Sequence, residues 1–369
     1  MSQIQFSTIF SSRRKELELT QEDVAQFVGV SRAAVSKWEK GQSYPDITLL
    51  PKLAMYLDLT IDTLLGYKPQ LTAQRITQLY SELAQRFAKE DFTKVDEAIQ
   101  QLIKEYYSCY PFIIKMAQLY LNYLPQSPDK EKTADQIFTI CERVKRHSDN
   151  VHILHEALTF KATTNLLMQK PQKVIEQLGT KPRIEFNDDA LVVTALTMLG
   201  DEQQAKQVLQ VSAYQHLLSI IGMLTEGLML EKENASYVEK TVYRIEKMID
   251  LFDVPHLSIN AVLVFYLKAA SVYAIQQNQE QATKMVERYL QTCKKIKFPL
   301  LLTGDDYFYL LQQWIDNEQL VMQQAPRDTQ SIKRDLLATL EQHPLLAPLL
   351  KEPELGILYE NVKHYLKEA

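Results

Sequence analysis

The residues of this sequence that could recognise another molecule are concentrated in one short segment near the N-terminus. From Thr20 to Asp46 the sequence reads TQEDVAQFVGVSRAAVSKWEKGQSYPD. Arg32, Lys37 and Lys40 recur there at intervals of three to five residues, which places their cationic groups on one broad side of a helix. Guanidinium and ammonium groups in such a row suit hydrogen bonds to phosphates and to the edges of bases.

Each position on this predicted outward face suits a particular contact with a DNA duplex. The arginine at the leading end has a fork that matches the two acceptors of guanine, and Ala33 is small enough to meet a thymine methyl group. Ser36 and Lys37 lie one turn later and can reach bases or phosphates. Gln21 begins the preceding helix, whose free backbone N–H groups favour a phosphate. The predicted DNA-binding residues are Gln21, Ser31, Arg32, Ala33, Ser36, Lys37 and Lys40.

Two helices joined by a tight turn are needed to position this face. Thr20 and Ser31 are N-cap residues, and each would begin one of the two helices. Gly29 stands where the first helix must end with a positive φ. Val35 and Trp38 turn inward, so the cationic side of the second helix faces solvent and is narrow enough to enter a major groove.

The surrounding residues, 1 to 66, are predicted to form five short helices that end at Gly66. This head carries seven basic and eight acidic residues, a net charge of −1, so a DNA contact would depend on a local cationic patch. A helical core module that no longer touches DNA is the alternative interpretation of the same segment.

The stretch LTQEDVAQFVGVSRAAVSKWEKGQSYPDITLLPKLAMYLDLTIDTLL resembles the XRE-type, or lambda-repressor-like, helix-turn-helix domain along almost its full length. The elements TQE, GVSR and SKWEKG carry the resemblance. It implies base contacts from Arg32, Ala33, Ser36 and Lys37, and it implies that Gln21 helps to anchor a phosphate and to orient the recognition helix. It also implies a buried ion pair between Arg14 and Glu39, and binding to double-stranded operator DNA as a homodimer.

The rest of the chain is predicted to be helical, so the fold class is all-α. Residues 67–70 would form a linker, and residues 71–369 a helical-repeat sensor and dimerisation domain. Two stretches, 190–210 and 266–291, look like copies of one helix hairpin, each with an alanine, Ala205 or Ala282, opening its second helix. Repeated hairpins indicate a tetratricopeptide-like α-solenoid. An irregular helical bundle is the alternative.

A helix-turn-helix head followed by a long helical array resembles the peptide-sensing regulators of the Rgg/PlcR/PrgX group. That resemblance implies a homodimer whose array binds a small extended peptide in its concave groove. Polar side chains on the groove side would contact the peptide backbone, and Asn187, Thr194, Thr197 and Ser271 are the candidates. Ordinary surface polarity is the alternative interpretation of these four residues.

Composition and motifs exclude several other classes. The net charge of −5 argues against coating nucleic acid or a membrane through bulk charge. Nine glycines and the lack of a phosphate-binding loop or a nucleophile motif favour a protein that is not an enzyme and has no cofactor. His152 and His155 have no third ligand nearby, so no metal site is expected. The N-terminus has no signal-peptide pattern, and the most apolar later stretch, Ile220 to Leu230, is too short to span a bilayer, so the expected location is the cytoplasm.

Two hypotheses remain open from the sequence. The first is a ligand-controlled, peptide-responsive transcription factor. The second is a helical-repeat scaffold whose array only dimerises or binds a partner protein, with the head used for anchoring or not at all.

Overall fold

The computed structural model describes residues 5–66, 70–182, 187–317 and 327–368, and within these ranges the chain is all-α. The expected linker, residues 67–70, lies outside the described residues except for Gln70. The helices gather around three separate apolar cores, which we call those of the head, the first lobe and the second lobe.

The head is built from five helices around one small core. They are α1 (Phe6–Glu16), α2 (Gln21–Val28), α3 (Arg32–Glu39), α4 (Leu50–Tyr56) and α5 (Ile61–Leu65). Phe6 and Phe10 stack at 5.1 Å between ring centroids, and Trp38 meets Phe10 edge-on at 6.2 Å. The core therefore ties α3 to α1 and leaves the other side of α3 free.

The first lobe is a stack of helix hairpins. Its helices are α6 (Ala73–Lys89), α7 (Phe92–Glu105), α8 (Tyr110–Tyr123), α9 (Lys130–His147), α10 (Val151–Leu167) and α11 (Pro171–Leu178). α8 is central, because it packs against α6, α9 and α10, and α10 pairs in turn with α9 and α11. Each first helix of a hairpin thus meets both its partner and the first helix of the next hairpin, which is the packing of a helical-repeat array.

The second lobe has its own apolar core and contains further helix hairpins. Its helices are α12 (Asp188–Met198), α13 (Glu202–Leu230), α14 (Ala235–Leu251), α15 (Val254–Leu257), α16 (Ile259–Ile275), α17 (Gln279–Cys293), α18 (Leu311–Asn317), α19 (Thr329–Glu341) and α20 (Pro353–Glu368). Both hairpins expected from the sequence are present, as α12–α13 and α16–α17. Ala205 and Ala282 are buried where the paired helices approach, as a small side chain permits.

The length of α13 differs from the sequence expectation. We expected the apolar stretch from Ile220 to Leu230 to be too short to span a bilayer, but α13 runs unbroken through 29 residues. By length and composition alone it could cross a membrane, although part of its apolar window is buried within the protein. It packs against α12 and also against α14 and α16, so one helix belongs to the packing of more than one hairpin.

Candidate nucleic-acid interface

The turn between α2 and α3 has the local structure that the sequence predicts. The Thr20 hydroxyl accepts a hydrogen bond from the Asp23 backbone N–H at 3.1 Å, and the Asp23 carboxylate accepts one from the Thr20 N–H at 2.7 Å. Gly29 ends α2 with φ +79°, and the Ser31 hydroxyl caps α3 by accepting from the Ala34 N–H. These caps satisfy free backbone donors at the start of both helices, which fixes where α3 begins.

The two sides of α3 differ sharply in their surroundings. Val35 and Trp38 are buried in the head core. Of the residues predicted to contact DNA from α3 and its ends, Ser36 is half-buried and the others are exposed: Ser31, Arg32, Ala33, Lys37 and Lys40. Within the described part of the chain, Arg32, Lys37 and Lys40 pair with no carboxylate. Their charges are therefore available to an anionic partner.

A polar cluster beneath α3 holds it against α1 and α2. Arg14 Nε lies 2.5 Å from Glu39 Oε1, and Arg14 Nη2 lies 3.3 Å from Glu39 Oε2. Arg14 Nη1 also donates to the backbone carbonyl of Leu19 at 2.5 Å. Both charged side chains are only 11% exposed, so the pair implied by the family resemblance is present and largely buried.

Glu39 stays ionised in this cluster. Burial raises the pKa of its carboxyl, but the hydrogen bonds from Arg14 and Gln21 outweigh burial and hold the pKa below its usual value. The Gln21 amide, Nε2, donates to Glu39 Oε2 at 2.7 Å. Gln21 therefore links the start of α2 to the end of α3. This contact helps to orient α3, which is one of the two roles expected of Gln21.

The four candidate ligand residues do not share one environment. Asn187 is exposed and precedes α12 with φ +55°. The hydroxyl groups of Thr194 and Thr197 donate to carbonyls one turn earlier in α12, at 2.9 and 2.8 Å. Ser271 is only 6% exposed, and its hydroxyl donates to the Leu267 carbonyl and lies 3.0 Å from His343 Nε2. Ser271 thus belongs to the packing of the second lobe, whereas the three α12 positions lie at the surface.

A polar feature of the first lobe went unnoticed in the sequence. Asp96 is 5% exposed and accepts hydrogen bonds from Tyr120 Oη at 2.6 Å, Gln136 Nε2 at 2.8 Å and Lys132 Nζ at 2.9 Å. A cleft of about 530 Å³ between α7 and α9 lies beside these groups. The available signal was an acidic residue on the apolar side of α7, next to Val95 and Ile99.

These observations define a class of protein: a helix-turn-helix protein whose second helix presents cations to solvent. The sequence pattern of the family described as Helix-turn-helix matches residues 11–64. An uncharacterized HTH-type transcriptional regulator of Methanothermobacter thermautotrophicus is 42% identical over 50 residues, which are 14% of this chain and 72% of that protein. The chain therefore belongs to the family of HTH-type transcriptional regulators.

Other similarities cover a smaller share of the relative or are much weaker. The HTH-type transcriptional activator BcrR of Enterococcus faecalis is 36% identical over 69 residues, 19% of this chain, and the match spans about a third (34%) of BcrR. Among solved structures, Bacillus thuringiensis PlcR in complex with the peptide PapR7 and DNA is 11% identical, with a TM-score of 0.26 over 97% of this chain and 98% of that one. The apo form of the competence regulator ComR from Streptococcus vestibularis is 15% identical, with a TM-score of 0.23 over 85% and 98%. TM-scores this low carry no argument about the arrangement of the helices.

Proposed function

We propose that this protein is a cytoplasmic, sequence-specific DNA-binding regulator of transcription, with residues 1–66 as the DNA-binding head. The observation that carries this proposal is the exposed, unpaired cationic side of α3, held in place by the Arg14–Glu39 pair. A helix with this face fits the major groove of B-DNA.

The proposed contacts follow from where the side chains lie. Arg32 stands at the N-terminal end of α3, which is the end that reaches base edges in this motif, and would read guanine. Ala33 would contact a thymine methyl group, and Ser36 and Lys37 would reach bases or phosphates from the next turn. Ser31 and Lys40 flank them. At the start of α2, the backbone N–H groups beside Gln21 would meet a phosphate.

The experiment that tests this proposal is selection of bound sequences from a random duplex library, followed by titration of the selected site. Arg32→Ala with Lys37→Ala should weaken binding at least about 100-fold, because both base and phosphate contacts are lost. Lys15→Ala with Lys52→Ala is the matched control, since it removes two exposed head lysines that lie on α1 and α4 rather than on α3. It should change the affinity only a few-fold.

Binding that survives the loss of Arg32 and Lys37 would show that the assigned face is wrong. Equal melting temperatures of the two double variants, measured by circular dichroism, would exclude unfolding as the cause of any difference. The affinity of the wild type should also fall steeply with salt concentration, because phosphate contacts release counterions.

We further propose that the array, residues 71–369, is a sensor and dimerisation domain that controls the head through a small ligand such as an extended peptide. Asn187, Thr194 and Thr197 support this proposal, since they place amide and hydroxyl groups at the surface of α12. Calorimetry against peptide fractions of the host's spent culture medium tests it. Heat from a fraction, lost in the Asn187→Ala variant, is the expected result, and no heat from any fraction would favour a purely structural array.

A further inference from the structure

The long helix α13 has two apolar sides, and within residues 5–66, 70–182, 187–317 and 327–368 only one of them is covered. The covered side, which includes Tyr214, Leu217, Ile221 and Leu228, lies in the core of the second lobe against α14 and α16. The opposite side faces solvent along most of the helix. We call it the outer seam, and its residues are Leu209, Ala213, His216, Ile220, Met223, Gly227 and Leu230.

The spacing of the outer seam is that of a helix that packs against another helix. Its seven positions follow one another at alternating intervals of four and three residues, which is the heptad spacing of a coiled-coil contact. Met223 is 72% exposed and Leu230 is 86% exposed, with Leu209 at 56% and Ile220 at 49%. Single exposed apolar residues are ordinary, but four large ones in line along one helix mark an interaction site.

We propose that the outer seam is the contact through which two copies of this chain associate. In a two-fold dimer the same patch meets itself, so like charges within it would repel. None of the seven seam residues is Asp, Glu, Lys or Arg, and the one such residue within the span of the seam, Glu226, pairs with Lys268 of α16, so little like charge would face itself. A partner held by opposite charges would find no counter-charge there, whereas a second copy of the same apolar row fits it.

The size of the surface also suits a dimer. The outer seam spans 22 residues, or about 33 Å of helix, and a helix with its side chains is roughly 10 Å wide. α12, which packs against α13, also exposes Met198 and Leu199. Together these surfaces amount to roughly several hundred Å², at the low end of the about 600 to 1,000 Å² that each partner contributes to a stable interface.

The effect of this dimer contact on DNA binding rests on the proposed function of the head. Two heads joined through their arrays would each offer one α3 to DNA, so the operator would contain two half-sites related by two-fold symmetry.

Sedimentation equilibrium of the full chain with Met223→Lys, compared with Leu251→Lys, tests the proposal. Both substitutions place a lysine at an apolar position of similar exposure, 72% and 77%, on neighbouring helices of the second lobe. Because each copy would bring a lysine into the contact, Met223→Lys should raise the dimer Kd on the order of 100-fold. Leu251→Lys should leave it unchanged, and Ile220→Lys should repeat the effect of Met223→Lys.

Each result decides a different question. If the wild type is a dimer and both Met223→Lys and Ile220→Lys dimerise with the same Kd, the outer seam is not the dimer contact. The proposed homodimer and the proposed DNA binding would then still stand. A wild type that stays monomeric at about 100 µM would overturn both the seam contact and the homodimer. Unchanged self-association combined with weaker binding of a peptide fraction would assign the surface to a ligand and overturn our proposal. Circular dichroism spectra matching the wild type ensure that each variant is folded.

Discussion

In the head and in the first lobe, one carboxylate binds side chains from neighbouring helices and so holds three helices together. The two regions differ in whether the cation paired with that carboxylate is buried or exposed to solvent. In the head, Glu39 on α3 binds Arg14 of α1 and Gln21 of α2. In the first lobe, Asp96 on α7 binds Tyr120 of α8 and two residues of α9. The cation beside Glu39 is 11% exposed, whereas Lys132 beside Asp96 is 59% exposed.

This difference predicts different consequences when the carboxylate is lost. A buried cation that loses its anion is neither paired nor hydrated, which is costly. An exposed lysine that loses its anion is hydrated by solvent instead. The head should therefore depend on its pair for stability, and the first lobe should depend more on the neutral donors around Asp96. Neutral isosteres of the two carboxylates test this comparison directly.

The largest effect is expected from Glu39→Gln. It leaves the Arg14 guanidinium buried without its anion, which should lower the free energy of unfolding of the head by about 3 to 5 kcal/mol. Trp38 in the head core and Trp314 in the second lobe are the two tryptophans, so Trp38 fluorescence in a Trp314→Phe background follows the head during denaturation. Glu16→Ala is the control, because Glu16 pairs with Arg13 at the surface, and its loss should cost less than about 1 kcal/mol.

A smaller effect is expected from Asp96→Asn. Tyr120 and Gln136 lose a charged acceptor but keep a neutral one, so the cost should be about 2 kcal/mol. Denaturation followed by far-UV circular dichroism, which the helices of the array dominate, measures it. Asp135→Asn, an exposed position on α9, should have no measurable effect. If Asp96→Asn lowers the free energy of unfolding more than Glu39→Gln does, then the exposure of the paired cation does not determine how much stability is lost.

The same comparison explains how much of the molecule the sequence could predict. The head was predictable residue by residue because its signals are local: Thr20 and Ser31 are caps, and Gly29 and Gly66 have the positive φ that ends a helix. The Arg14–Glu39 pair came only through the family resemblance, since its partners are 25 residues apart.

The array was predictable as helices and as two hairpins, but its contacts were not. Asp96 meets its partners across 24, 36 and 40 residues, and no short motif encodes such distances. Ser271 is expected on the groove side, and its contact with His343 could not be predicted because one helix sequence does not tell which polar side chain a neighbouring segment will cover. The outer seam escaped notice because both sides of α13 are apolar, so its pattern has no single amphipathic period.

The smallest effect, and the finest test of the comparison, is the order in which the two carboxylates lose their contribution as the pH falls. Burial raises the pKa of each carboxyl, but hydrogen bonds outweigh it, so both pKa values lie below the usual 4.5 for Glu39 and 3.8 for Asp96. A lowered pKa in the folded state adds stability that is complete above the unfolded pKa and is lost as the pH falls through the folded one.

The contribution of Glu39 should therefore begin to fall below pH 4.5, and that of Asp96 only below pH 3.8. At pH 4 the loss in the head should still be under about 1 kcal/mol, and the loss in the first lobe smaller. The measurement is the difference in unfolding free energy between wild type and each neutral variant, Glu39→Gln and Asp96→Asn, from pH 7 to pH 3.5. The Glu39 difference should shrink first, and the reverse order would show that the Asp96 cluster, despite its exposed lysine, is the more easily protonated of the two.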